Sequence, residues 1–304
     1  MIELWIPVTI TAAFMQNLRS AVQKYLKGRL STTGATFVRF GYGVPVAVAY
    51  VLFLHFGVGL PIPQMNGEFV IYTMLGGVTQ IMATFLLVYL FGLRNFAVGT
   101  AYSKTEAIQA AVFGFVLLAD PLSLGAGVAI LIGFAGVALI SVAHTALTLG
   151  TMIRSTFSRT ALIGLASGAL FGISAVGFRG GSLALGGGED EFMMQAGFTL
   201  MCGITFQTAV MLAYMQWKEP GQIKAVAKAW KPASMVGLSG VLGSICWFTA
   251  MTIQSVAYVR SLGQIELIFT FAASYFIFKE RPNRIEVIGV LLIAAGIIVL
   301  LQSK

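Results

Sequence analysis

Charge is what this sequence has least of. Asp, Glu, Lys and Arg make up only 10% of 304 residues while 58% are apolar, against about a quarter charged and 45–50% apolar in soluble domains. That balance excludes a water-soluble single domain. Cys202 and Cys246, the only cysteines, both sit inside apolar runs, so a disulfide scaffold is excluded and reduced, buried thiols are expected. With two histidines and no H-E-x-x-H pair, acidic metal-binding cluster or convincing Ser-His-Asp set, no metal, cofactor or enzymatic activity is expected. Acidic residues are scarcer than basic ones, 11 against 19. No soluble basic domain exists to carry nucleic-acid binding, so the excess positive charge is read as membrane topology.

What the chain has is apolar sequence in long runs, with a mean hydropathy of +0.88. The runs fall at about 4–26, 34–56, 69–91, 96–118 and 122–144, then 160–184, 192–216, 232–253, 257–278 and 285–302. About 20 residues cross a hydrocarbon core, so each run is long enough to span. The expected fold is all-α and integral to the membrane, with ten transmembrane helices. Met1-Ile2-Glu3 lacks a basic leader, and Gln16, Asn17 and Arg19 interrupt the first run, so that run is expected to stay as the first helix.

Alternating the loops between two faces gathers Lys27, Arg29, Arg94, Arg154, Arg159, Lys218, Lys224, Lys228, Lys231, Lys279, Arg281 and Arg284 on one side. The other side holds Lys304 and the acidic run Glu189-Asp190-Glu191. The positive-inside rule puts the basic face in the cytoplasm of an inner membrane, with both termini outside. Between Trp217 and Lys231, Ile223, Val226 and Trp230 form one helical stripe and Lys224, Lys228 and Lys231 another. This reads as an interfacial helix on anionic lipid, or as a solvated basic loop.

A gapless shift of 160 residues lays 95–142 over 255–302, matching Glu106 to Glu266 and Ala135-Gly136 to Ala295-Gly296. Two halves of five helices, 1–150 and 151–304, then have opposite orientation, because an odd number of crossings flips the second copy. Such inverted repeats are common in secondary transporters, with substrate held near the midplane.

The segments Lys104-Thr-Glu-Ala-Ile-Gln through Asp120-Pro121 and Gln264-Ile-Glu-Leu-Ile-Phe through Glu280-Arg-Pro282 resemble the paired EamA signature of the drug/metabolite transporter superfamily. Ala107 and Leu267 stand where that signature usually has Pro, and Asp120 replaces one closing Glu. The resemblance implies ten helices in two inverted bundles, a central cavity and transport, usually export, of small metabolites. Many members look N-in, whereas the charges here argue the reverse.

Of eleven acidic residues, only Glu106 and Glu266 lie deep in apolar runs. A charge at a helix centre costs roughly 2.5–3.5 kcal/mol, so each Glu needs either protonation, which would make it a coupling group, or an ion-pair partner. Lys104 is two residues from Glu106 and faces about 200° away around a helix, so a partner must come from another helix. Arg19, Arg39 and Arg260 are the candidates. Tyr102, Glu106, Gln109 and Phe113 form a polar stripe on the fourth helix, and Tyr258, Leu262 and Glu266 its counterpart, with Arg260 and Gln264 on the opposite flank. Trp247 and Tyr89 lie inside spans, unlike Trp5, Trp217 and Trp230, which read as interface anchors at span ends. Interior cations (Arg19, Arg39, Lys104, Arg260) outnumber the two Glu, favouring a carboxylate- or phosphate-bearing substrate, unless Arg39 and Arg260 snorkel to head groups. Glycines 164, 168 and 172 and glycines 237, 240 and 243 mark close helix packing or sliding surfaces.

The function expected is proton-coupled alternating access that exports a small polar metabolite, such as an amino acid or organic anion, by a monomer or homodimer. The alternative is a flippase for a lipid or lipid-linked phosphate-bearing substrate.

Overall fold

The structure is a computed structural model that describes residues 3–93, 103–143, 159–276 and 284–302. Among the described residues 86% are helical and none lies in a strand. The helices are α1 (Trp5–Lys27), α2 (Thr32–Gly41), α3 (Val44–Leu52), α4 (Gly67–Leu90), α5 (Glu106–Leu118), α6 (Leu124–Ala143), α7 (Arg159–Ala184), α8 (Phe192–Lys218), α9 (Pro220–Lys228), α10 (Trp230–Ile253), α11 (Val256–Leu262), α12 (Ile265–Phe276) and α13 (Arg284–Gln302). A π-helical turn, Phe53–Gly57, extends α3.

Among the described residues, each apolar run overlaps at least one helix. Among the described residues, six segments are long and apolar enough to cross a membrane: Thr32–Gly57, Gly67–Leu90, Arg159–Ala184, Phe192–Lys218, Trp230–Ile253 and Arg284–Gln302. Three runs are broken among the described residues, the fourth of the ten at Lys104-Thr105. The second pauses at Tyr42-Gly43, just before Pro45, which has no backbone donor and sits in the first turn of α3. The ninth pauses at Gly263-Gln264 between α11 and α12.

The molecule is arranged inside out relative to a soluble protein. Arg19, Arg39, Gln23, Gln80, Gln207 and Glu266 are buried, while Ile71, Met82, Phe85, Phe115, Val116, Leu131, Leu291 and Ile298 face outward. An outward apolar surface on this scale is what a lipid environment tolerates and water does not. The chain is a multi-pass membrane protein.

The most extensive helix contacts join the first half of the chain to the second: α4 with α7, α6 with α13 and α1 with α10. Glycines make these approaches possible. A Cβ on Gly243 would lie 3.2 Å from Met15 Cβ of α1, and one on Gly136 would lie 2.6 Å from the Gly289 carbonyl of α13, so bulk at either site would push helices apart.

The connection between Trp217 and Lys231 folds as a helix, α9. Val226 is buried in the core while Lys224 and Lys228 are exposed. Glu219 at its start accepts hydrogen bonds from Ser31 Oγ (2.6 Å) and Thr33 Oγ1 (2.8 Å), fastening α9 to the first-half turn between α1 and α2. Trp217 and Trp230 are exposed, at 75% and 56%. Trp5 departs from the anchor role its position at a span end suggested. It is buried edge-on against Tyr258, ring centroids 6.4 Å apart, with its indole N–H donating to Glu3. The packing of α1 on α11 covers it.

Candidate functional site

Both deep carboxylates stand at helix starts. The fourth apolar run pauses at Lys104-Thr105 and α5 begins at Glu106; the ninth pauses at Gly263-Gln264 and α12 carries Glu266 in its first turn. In the 160-residue register the two pauses overlap. First-turn backbone N–H groups have no partner within their own helix, and the helix dipole is positive there. A carboxylate so placed is stabilised as an anion within an apolar layer.

Close packing fixes each pause. A Cβ on Gly263 would lie 2.5 Å from the Trp247 ring of α10, and one on Gly168 of α7 would lie 2.9 Å from the Ser103 carbonyl and 3.3 Å from the Glu106 nitrogen. Glycine is therefore required where α7 presses on the break before α5. The static-packing reading of Gly168 suffices to explain it.

Between these elements lies a cavity of about 240 Å³. Its wall includes Glu106, Glu266, Lys104, Arg19, Arg39, Arg260 and Trp247, all expected from the sequence. Two ion pairs cross it. Lys104 Nζ meets Glu266 Oε1, and Arg260 Nε lies 3.2 Å from Glu106 Oε1. Each Glu is thus neutralised by a cation from the other half of the chain, in a reciprocal arrangement. Glu266 Oε2 also accepts from Gln16 Nε2 at 2.9 Å, and its backbone carbonyl from Asn17 Nδ2 at 3.4 Å. Arg260 lies over the Trp247 ring at 4.5 Å, a cation–π contact that helps hold it while desolvated.

Arg39 and Arg260 do not snorkel to head groups. Arg39 is 8% exposed and donates to Thr84 Oγ1 at 2.9 Å, while the Arg260 side chain is 10% exposed. Both face inward because α2 packs against α4, α8 and α10, and α11 against α1, α5 and α10. Neither Arg19 nor Arg39 has a carboxylate partner among the described residues. Arg19 is 4% exposed, and its Nη1 is buried with no hydrogen-bond partner.

Other expected residues lie off the main cavity. Gln264 lines an adjoining pocket of about 30 Å³. Tyr258 is buried away from the cavity wall, its hydroxyl 3.2 Å from Ser123 Oγ. Gln109 donates to Thr105 Oγ1 at 2.8 Å, and neither it nor Tyr89 is among the lining residues. Tyr102 lies outside the described residues. The wall also includes Gln16, Asn17, Ser20, Gln80 and Ser244, which sequence reasoning did not assign. Their signal was present: Gln16, Asn17 and Gln80 are amides inside apolar runs, and Gln80 is satisfied there by Gln207 at 3.0 Å.

Residues 158–302 match the model of the EamA-like transporter family, which belongs to the drug/metabolite transporter superfamily. The second half of the chain is an EamA domain. The matched family is one of membrane transporters. No curated protein matches the chain. Twenty-nine solved chains do. One crystal structure superimposes with a TM-score of 0.70 at 14% identity, covering 100% of this chain and 98% of its own. At that identity the likeness is one of fold.

Proposed function

We propose that this EamA protein is a ten-helix secondary transporter of the cytoplasmic membrane. It is built from inverted repeats 1–150 and 151–304 and exports a small polar metabolite, an amino acid or organic anion, by proton-coupled alternating access. The observation that carries the reading is the pair of reciprocal ion pairs, Lys104 with Glu266 and Arg260 with Glu106, facing a polar cavity at two helix breaks. Discontinuous helices around a central site are the recurring transporter solution, because helix termini supply unpaired backbone groups that a continuous helix cannot. The pairing of α1 with α10 and of α4 with α7 supports the repeat, since exchanging the halves turns one contact into the other.

The ion pairs give the coupling a physical basis. A charged solute competes with the protein's own groups, its anionic part with the glutamates and any ammonium with Lys104 and Arg260. A proton on Glu106 or Glu266 breaks a pair and changes the cavity charge by one unit, which alters affinity for that solute. The basic loops and α9 rest on anionic lipid at the cytoplasmic side, with the termini outside.

The test is counterflow and pH-gradient-driven flux of labelled amino acids and organic anions in liposomes holding the purified protein. A solute should accumulate when a pH gradient is imposed. Glu266→Gln should keep solute exchange but lose the drive from the gradient. Absence of flux for every solute under every gradient refutes the transporter reading.

A further inference from the structure

Four cations and two carboxylates line the cavity among the described residues. Two of the cations are consumed by the cross-half ion pairs, which leaves Arg19 and Arg39. These two are neighbours. A Cβ on Gly240 of α10 would lie 3.3 Å from Arg19 Cδ and 3.6 Å from Arg39 Cγ, so both stems converge on one bare patch of helix. Like charges held together in a buried site repel, and the attraction of Glu106 is shared with Arg260.

A second observation concerns donors. Arg19 Nη1 and Trp247 Nε1 are both buried and both without hydrogen-bond partners, and both residues line the cavity. A buried donor left unmade is disfavoured, and such groups in native structures call for an explanation. Two in one cavity, beside surplus positive charge, are explained if the cavity binds a solute that carries acceptors.

We propose that Arg19 and Arg39 form an anion subsite and that the solute is a compact dianion, a dicarboxylate or a phosphate monoester. A guanidinium presents a planar fork that matches carboxylate and phosphate oxygens two at a time. One dianion balances the two surplus charges, whereas a monoanion leaves one and a zwitterion leaves both. The Trp247 indole N–H reaches the same space, and Phe171 and Phe178 give the wall an apolar side for a short carbon body. The proposal rests on the transporter reading for its cavity but concerns only what the cavity holds.

The test is a thermal-shift titration of the intact protein in detergent, at constant ionic strength, with succinate, inorganic phosphate, glutamine and putrescine. Succinate or phosphate should raise the Tm of wild type, and which of the two acts separates the dicarboxylate from the phosphate form. Arg19→Gln and Arg39→Gln should each weaken that binding at least tenfold, with Arg19→Lys intermediate because it keeps the charge and loses the fork. The proposal is overturned if neither dianion stabilises wild type, or if folded Arg19→Gln and Arg39→Gln bind as wild type does. Dianion binding without flux in liposomes sinks the transporter reading and leaves the subsite. Glutamine flux that is indifferent to Arg19→Gln does the reverse.

Discussion

The reciprocity of the two ion pairs can be tested as an energetic coupling. At 3.2 Å between Arg260 Nε and Glu106 Oε1, the gross attraction is about 5 kcal/mol with an effective dielectric constant of about 20. Removing one partner leaves the other facing a polar cavity, where water recovers part of that loss, so a net coupling of about 1–3 kcal/mol is expected. The perturbation is a set of double-mutant cycles: Glu106→Gln with Arg260→Gln, Glu266→Gln with Lys104→Gln, and Glu106→Gln with Lys104→Gln as the control. Unfolding free energies are read from denaturation in mixed micelles. The two cross-half cycles should show coupling and the control much less, because Lys104 is committed to Glu266. Additivity within about 0.3 kcal/mol in both cross-half cycles, or a control coupling as large as theirs, would refute the reciprocal arrangement.

Gly168→Val should push α7 off the Ser103 carbonyl, 2.9 Å from the added Cβ, destabilising the protein by about 1–3 kcal/mol; Gly127→Val, where a Cβ meets nothing within 4 Å, should unfold in micelles as wild type does. Asp120→Asn strips the carboxylate from Arg179, 3.1 Å away and buried. Carbonyls of Met251 and Gln254 remain, so a loss of about 3 kcal/mol is expected in the same assay, near the lower bound for a broken buried pair. Among single-tryptophan variants, Trp217 and Trp230 fluorescence should be quenched by aqueous iodide and that of Trp5 should not, because the first two are exposed and Trp5 is 3% exposed. Equal quenching of all three would contradict the placement of α1.

The helical class and the six long apolar spans among the described residues could be read from the sequence because hydrocarbon thickness fixes run length. The cavity residues Arg19, Arg39, Lys104 and Arg260 could be read too, since a cation inside an apolar run has few alternatives to a polar interior. Three features were not legible. The helix breaks at Lys104-Thr105 and Gly263-Gln264 depend on α7 and α10 pressing from outside, and local propensity at a Lys-Thr step does not signal a break. The partner of each Glu was hidden because the pairs join residues about 150–160 positions apart. Trp5 resembled an interface anchor because position in a span says nothing about which neighbour covers it.

A hydropathy criterion fails for a reason that bears on function. Helix α1, at 23 residues, is long enough to cross but too polar to qualify, and α5, α11 and α12 are short pieces beside the breaks. These same elements supply Gln16, Arg19, Glu106, Arg260 and Glu266 to the cavity wall. A polar helix is tolerable inside a bilayer only where other helices take its contact with lipid. That duty falls on apolar segments such as α4, with Ile71, Met74, Val78, Met82 and Phe85 outward, and α13, with Ile288, Leu291 and Ile298 outward. The low hydropathy of α1 and the breaks near Glu106 and Glu266 therefore have one cause. They mark the part of the chain that the rest shelters, and so the part free to carry the charge a polar solute requires.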